Sequence, residues 1–401
     1  MLREASMLKF DILKQEGLMR AGVIHTAHGD IKTPAFVGAA TRAAMKAVTW
    51  EQLEALKSQA VLVNAYHMLL APGVDLVEKA GGINCFMSWD KPTFTDSGGF
   101  QMLSLTDAKI DADGVTFKSY LNGDKIRMTP EISMQAQWQI GSDIHMAFDQ
   151  AIDSDNYPDV KKAMERTHEW LPRNLAEHEK MQKKFAKNSK KSQENEQNLS
   201  KNHQKHHNST QHLYAIAQGG RFPDLRRISA DFMKNQPVDG FGLGSLYTTK
   251  TPEEQELIKI TNEILPAEKP RHLLGMGGEP RDLYVGVEYG CDTFDCVAPT
   301  RMARNGALYT RTGRINIKNA KYREYFQPPD STCGCPLCQN YTSAYLHHLF
   351  KVDEITAKVL ASLHNERYVI RAVDEMREVF LTEGKEGFLR LKTKRLKEYY
   401  K

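Results

Sequence analysis

Three carboxylates and one amide in this chain are conspicuous for where they fall. Asp96 follows the run PTFT, Asp149 follows DIHMAF, Gln218 follows LYAIA and Asp295 follows CDTF. Asp96 and Gln218 each lead into a pair of glycines, which turn the backbone tightly and leave its N–H groups open to a ligand. Taken alone, Asp96 reads as a cap on a tight turn. Four such residues at the ends of separate apolar runs point instead to one site, because parallel strands closing into a barrel carry their C-terminal ends onto a common face. No Ser–His–Asp order, nucleotide-binding loop or catalytic metal triad accompanies them. Carboxylates without a metal suit attack at an anomeric carbon, one as nucleophile and another handling the leaving-group proton. An Asp beside a Gln can also read a purine-like edge, the carboxylate accepting from N–H groups and the amide pairing with a carbonyl. The combination points to cleavage or exchange of an N-glycosidic bond.

A second constellation lies near the C-terminus. Cys333, Cys335 and Cys338 form C-x-C-x₂-C, and His364 lies 26 positions after Cys338. Three thiolates and an imidazole make a closed tetrahedral site suited to one structural zinc, with no position left for catalysis. The crowding of three of the six cysteines into six positions also argues against a disulfide framework. His203, His206 and His207 lack any accompanying cysteine or carboxylate pattern and read as part of a solvated polar stretch.

The elements that must position these residues are eight short apolar runs: 34–37, 60–64, 92–95, 143–148, 213–217, 240–244, 272–275 and 292–297. Helix-like amphipathic stretches separate most of them, including TWEQLEALKSQ, TPEISMQAQWQIG and TPEEQELIKITNEIL. Two of these open on Thr-Pro-Glu, a cap followed by proline at the first helical position. Eightfold alternation predicts a (β/α)₈ barrel, an α/β fold, over residues 8–310. A doubly wound sheet is the competing architecture, but no glycine-rich fingerprint follows the first run. Residues 182–212, almost devoid of apolar side chains, read as a mobile polar insertion. A cysteine-bearing subdomain with closing helices is expected over 311–382, and a basic tail with a solvated face over 383–401.

The bulk properties exclude some classes. Hydrophobic residues make up 41% and charged residues 26%, the balance of a globular chain. No apolar run approaches a membrane span and MLREASMLKF lacks a signal-peptide stretch, so no membrane partner and a cytoplasmic location are expected. A net charge of +4 cannot argue for nucleic-acid binding, which would have to come from local basic clusters.

The stretches DSGGFQ (96–101), MAFD (146–149), AQGG (217–220), TFDCVAPTRMARNG (293–306) and CGCPLC (333–338) with SLHN (362–365) together resemble the tRNA-guanine transglycosylase family, bacterial type. The resemblance runs from about residue 8 to 382. It implies a barrel with a zinc-binding subdomain and a reaction that replaces guanine at the anticodon wobble position of tRNA by a 7-deazaguanine, on the path to queuosine. Its implied substrates are tRNA with a GUN anticodon and either a 7-deazaguanine base or queuine, and it implies a homodimer. Carried over by position, Asp295 is the nucleophile toward ribose C1′ and Asp96 the general acid/base. Ser97, Gly98, Gly99, Phe100, Asp149, Gln218, Gly219, Gly244, Ser245 and Leu246 bind the base, with Phe100 stacking on it. Thr300, Arg301 and Arg304 contact the anticodon.

One segment and two single positions depart from the bacterial pattern. The family's GGLAVGE segment reads Gly244-Ser245-Leu246-Tyr247-Thr248-Thr249-Lys250, which replaces an acidic residue by Lys250. Leu274 stands where methionine is common, and Ala151 where cysteine is common. An incoming aminomethyl base would lose carboxylate support if Lys250 faced it, and Tyr247 and Thr248 would bracket its substituent. A non-catalytic tRNA-binding subunit, a DNA-acting relative and a barrel glycosidase are the rival readings. Retention of Asp96, Asp295 and the cysteine motif disfavours the first of these.

Overall fold

The computed structural model describes residues 7–103, 107–195 and 210–401. Eight parallel strands close into a barrel in chain order: β1 (Ala35–Ala39), β2 (Ala60–Asn64), β3 (Thr93–Asp96), β4 (Ile144–Met146), β5 (His212–Ala217), β6 (Gly240–Leu243), β7 (Arg271–Leu273) and β8 (Thr293–Cys296), with β8 pairing back onto β1. These are the eight runs expected from the sequence, displaced by at most two residues at either end. Val37, Leu62, Phe94, Ile144, Met146, Tyr214 and Ile216 bury one another in a single cluster drawn from the first five strands. The helices around the barrel begin where capping chemistry directs. Thr129 and Thr251 cap Pro130–Ile140 and Pro252–Ile264, each accepting a backbone N–H from the first turn, with proline at the first helical position.

The N-terminal residues, for which the sequence suggested no element, form an antiparallel sheet of Lys9–Glu16, Met19–Thr26 and Gly29–Thr33. The sheet packs across the end of the barrel where the strands begin. There the Leu8 N–H donates to Asp239 (2.9 Å), His28 Nδ1 meets Asp143 (2.9 Å), and buried Arg20 donates through Nε to Asp292 (2.9 Å). These three carboxylates precede β6, β4 and β8 and hold the closure together. A second small sheet, Lys109–Ile110, Val115–Lys118 and Lys125–Met128, lies in the connection between β3 and β4.

Two expectations change. The polar insertion expected from residue 182 begins as the continuation of a helix that runs from Tyr157 to Asn195. Its extension is anchored because Phe185 is buried and stacks on Trp138 at 5.4 Å, while Gln211, at the far end of the polar stretch, is buried against His145. His203, His206 and His207 lie outside the described residues. The 383–401 segment is not a free tail. The last helix, Ile355–Tyr399, bends at Gly384, whose φ of 71° no L-side chain adopts readily, and the stretch beyond returns to the barrel. Phe388 and Tyr399 are buried there, and Lys392 and Arg395 pair with Glu288 and Glu375. No helix among the described residues is long and apolar enough to cross a membrane.

Candidate active site

The finishing ends of the strands surround a cavity of about 370 Å³. Asp96, Asp149, Gln218 and Asp295 all line it, together with Ser97, Gly98, Gly99, Phe100, Gly244, Ser245, Leu246 and Arg301. Leu62, Met146, Ile216 and Leu274 supply apolar surface, so the lining combines flat hydrophobic contact with a few convergent polar groups. Ala151 also reaches this lining. Of the other residues singled out in the sequence, Gly219, Thr300 and Arg304 are not part of the cavity lining.

Asp96 ends β3 and accepts hydrogen bonds from groups at the ends of β2 and β3. Oδ1 accepts the Ala65 N–H (3.0 Å) and the Gly98 N–H (3.2 Å). Oδ2 accepts from the side-chain amides of Asn64 and Gln101, the latter at 3.0 Å. Removal from water dominates these donors and, with the nearby negative charge of Asp295, pushes the Asp96 carboxyl up to about 7. A carboxyl so placed can both give and take a proton near neutrality.

Asp149 and Gln218 form a second unit. Asp149 Oδ1 accepts from the Ser97 hydroxyl (3.2 Å) and Oδ2 from Gln218 Nε2 (2.6 Å). Burial again outweighs these bonds and raises Asp149 to about 6. Gln218 Oε1 is buried with no hydrogen-bond partner among the described residues. An unpartnered buried amide oxygen is costly, and a ligand N–H would remove that cost. Gly99 has to be glycine because a Cβ there would lie 2.8 Å from the Asp149 carbonyl oxygen.

Asp295 ends the inward-facing part of β8. Its Oδ1 accepts from His272 Nε2 (3.0 Å) and from the Gly275 N–H (2.9 Å). Phe100 sits at the rim with 56% of its surface exposed, free to cover a flat ligand.

The sequence left several contributors unnoticed. Asn64 and Gln101 hold Asp96, and His272 holds Asp295. Arg226, fully buried in helix Pro223–Lys234, donates to the carbonyls of Gly220 (2.8 Å), Ala217 (3.2 Å), Gly244 (2.7 Å) and Ser245 (2.9 Å). Burial lowers its guanidinium to about 9. It clamps the β5 and β6 loops to each other, and Gly219, at φ 124°, passes so near the helix start that a Cβ would lie 2.6 Å from the Arg226 backbone nitrogen. An arginine in an amphipathic helix gives no sequence sign that it points inward.

Lys250 does not face the cavity. It is exposed and absent from the cavity lining, because the buried Thr249 hydroxyl bonds to Asp282 (2.7 Å) and turns the chain toward Glu279 and Arg281. Thr248 likewise lies outside the cavity, whereas Tyr247 lines it. Beside the cavity the helix Ala298–Arg304 presents Arg301 and Arg304 near Arg42 and Lys46. Partial burial, followed by these three arginines, depresses Lys46. Four cations gathered at one rim form the local basic cluster that the small net charge concealed.

Residues 15–401 match the family described as Queuine tRNA-ribosyltransferase. The chain belongs to that family. It is 44% identical over 378 residues to a queuine tRNA-ribosyltransferase of Herpetosiphon aurantiacus, covering 93% of this chain and 89% of the relative. A relative of the same description from Caldanaerobacter subterraneus subsp. tengcongensis is 38% identical over 98% of both chains, and one from Streptococcus uberis is 40% identical over 95% and 96%. The fold is thus that of a pentosyltransferase, and the (β/α)₈ barrel expected from the alternation is present.

Away from the cavity, the Sγ atoms of Cys333, Cys335 and Cys338 and a ring nitrogen of His364 all lie within 4.8 Å of one another, and all four residues are buried. His364 Nδ1 is 3.4 Å from Cys335 Sγ and 3.3 Å from Cys338 Sγ. A tetrahedral zinc with ordinary bond lengths sets that edge at roughly 3.6 Å, so the donors fit one metal ion. His364 Nε2 meets the Tyr309 carbonyl at 2.6 Å, which fixes its hydrogen there and leaves the Nδ1 lone pair directed at the cysteines, able to bind a metal.

Proposed function

We propose that this chain exchanges guanine at the wobble position of tRNA anticodons for a 7-deazaguanine, in queuosine biosynthesis, through a covalent bond between Asp295 and ribose C1′. The observation that carries the reading is the pairing of two carboxylates in one cavity with different surroundings. Asp96 is pushed to about 7 by burial, whereas Asp295 has Oδ1 held by two N–H donors. Such a division of environments separates a proton carrier from a nucleophile.

In the first half-reaction Asp295 Oδ2 bonds to C1′ while the C1′–N9 bond breaks. The electron pair leaves with guanine, and Asp96 supplies the proton that the departing base needs. In the second half-reaction the incoming base bonds through N9, its proton passes to Asp96, and the C1′–Oδ2 pair returns to Asp295. Ser97, Asp149, Gln218 and Gly219, with the Gly244–Leu246 backbone, form the base-reading wall, and Phe100 stacks on the extruded base. Thr300 supports Arg301 and Arg304, which with Arg42 and Lys46 meet the anticodon phosphates.

The incoming base is a 7-deazaguanine with an aminomethyl substituent. Lys250 lies outside the cavity, so no like charge confronts the ammonium, and Tyr247 narrows the space a larger substituent would need. Cys333, Cys335, Cys338 and His364 hold a structural zinc, which fastens the C-terminal segment that also carries Asn365 against the Pro299 and Ala307 carbonyls at 3.0 Å. The assembly is a homodimer. The test is exchange of labelled guanine into tRNA by the purified protein. Incorporation confined to the wobble position is expected, and failure to incorporate would refute the reading.

A further inference from the structure

His272 lies on β7 inside the barrel, with no accessible surface, and its ring faces Phe94 at 5.5 Å. Both ring nitrogens are engaged. Nε2 is 3.0 Å from Asp295 Oδ1 and Nδ1 is 2.8 Å from the Thr293 hydroxyl. The carboxylate can only accept, so Nε2 carries the hydrogen. Nδ1 in that tautomer accepts from Thr293, and the hydroxyl thereby fixes which nitrogen faces Asp295. The Gly275 N–H at 2.9 Å supplies a second donor to the same oxygen, and no bond to Oδ2 occurs among the described residues.

We propose that His272, oriented by Thr293, is a positioning residue that reserves Asp295 Oδ2 for attack and makes Asp295 a good leaving group in the second half-reaction. The inference rests on the reading of Asp295 as the nucleophile. Once C1′ bonds to Oδ2, Oδ1 becomes the carbonyl oxygen of an acylal-type ester. When the incoming N9 displaces that ester, the C1′–Oδ2 electron pair returns to the carboxylate and negative charge reappears on Oδ1. Two N–H donors already aimed at Oδ1 stabilise the carboxylate more than the ester, because hydrogen bonds to charged acceptors are the stronger ones. Their effect therefore falls mainly on breakdown of the covalent species, and less on its formation.

The experiment compares the unaltered protein with His272→Leu, His272→Gln and Thr293→Val. It follows the denaturation-resistant protein–tRNA adduct formed without free base, then its decay after guanine is added, and it includes thermal melting of each variant. His272→Leu should slow adduct decay by roughly 10- to 100-fold, the scale of one lost catalytic donor, and slow formation much less. His272→Gln keeps an N–H and should recover most of the decay rate. Thr293→Val, nearly isosteric, frees the tautomer and should fall between them, which keeps the test decisive if His272→Leu does not fold. Decay at the unaltered rate in both folded His272→Gln and Thr293→Val, with His272→Leu unchanged or merely less stable, would overturn the proposal. Formation and decay slowed equally would also overturn it. Absence of any adduct in the unaltered protein would instead refute the underlying assignment of Asp295.

Discussion

Asn64 and Asp96 stand in register at the ends of adjacent barrel strands, and the Asn64 side-chain amide donates to Asp96 Oδ2. Asn64 at the same time caps the helix Ala65–Leu70 by accepting the His67 N–H at 3.1 Å. One residue therefore sets both the start of a helix and the orientation of the Asp96 carboxyl. Replacing Asn64 by Leu should cost about 1 kcal/mol of stability through the lost cap and lower the exchange rate by more than that loss implies. Melting and exchange measured side by side check it.

With Asp96 as the proposed proton carrier, its rise to about 7 should give the two half-reactions opposite pH dependence. Adduct formation needs Asp96 protonated, so its rate should fall as pH rises through about 7. Adduct decay with incoming base needs Asp96 deprotonated, so its rate should rise through the same range. Single-turnover rates of both steps between weakly acidic and weakly basic pH test the assignment. Parallel profiles would contradict it.

The eight strands were legible because apolar runs of barrel length alternate with capped amphipathic stretches. The polar site residues were legible because strand ends mark all four and glycine pairs mark Asp96 and Gln218. Asp143, Asp239 and Asp292 show the limit, since an aspartate that starts a strand and one that finishes a strand differ only by register. Arg226 and His272 were hidden for a related reason. Their roles depend on which way a side chain points, and neither periodicity nor composition records that. Phe185 was missed because one phenylalanine in a polar stretch lowers mean hydropathy hardly at all, although one buried stack suffices to extend a helix.

The two buried ends of the polar stretch predict the effect of deleting it. Removing residues 183–211 takes Phe185 from Trp138 and Gln211 from His145, so the protein should lose stability rather than tolerate the change. Phe185→Ala alone should cost about 3 kcal/mol, read by denaturant unfolding.

Metal content should be close to one zinc per chain. Cys335→Ser should lose it and loosen the C-terminal segment, with tRNA affinity falling as Asn365 releases the helix that carries Arg301. Full activity in metal-free protein would contradict a structural zinc.

Lys250→Glu should alter base preference little, since Lys250 faces away from the cavity. Tyr247→Ala should instead widen acceptance of larger 7-substituents, including queuine. Competition among guanine, the aminomethyl base and queuine for labelled tRNA measures both, and a strong preference of the unaltered protein for queuine would overturn the assignment of the incoming base.

The most direct test of the central claim is trapping of the protein–tRNA adduct with Asp295 intact and replaced. The unaltered protein should give a band that survives denaturation when no good incoming base is present. Asp295→Asn should give none and lose exchange while still binding tRNA nearly as tightly, because phosphate contacts supply most of the affinity. An adduct of undiminished yield in Asp295→Asn would show that another residue attacks the ribose.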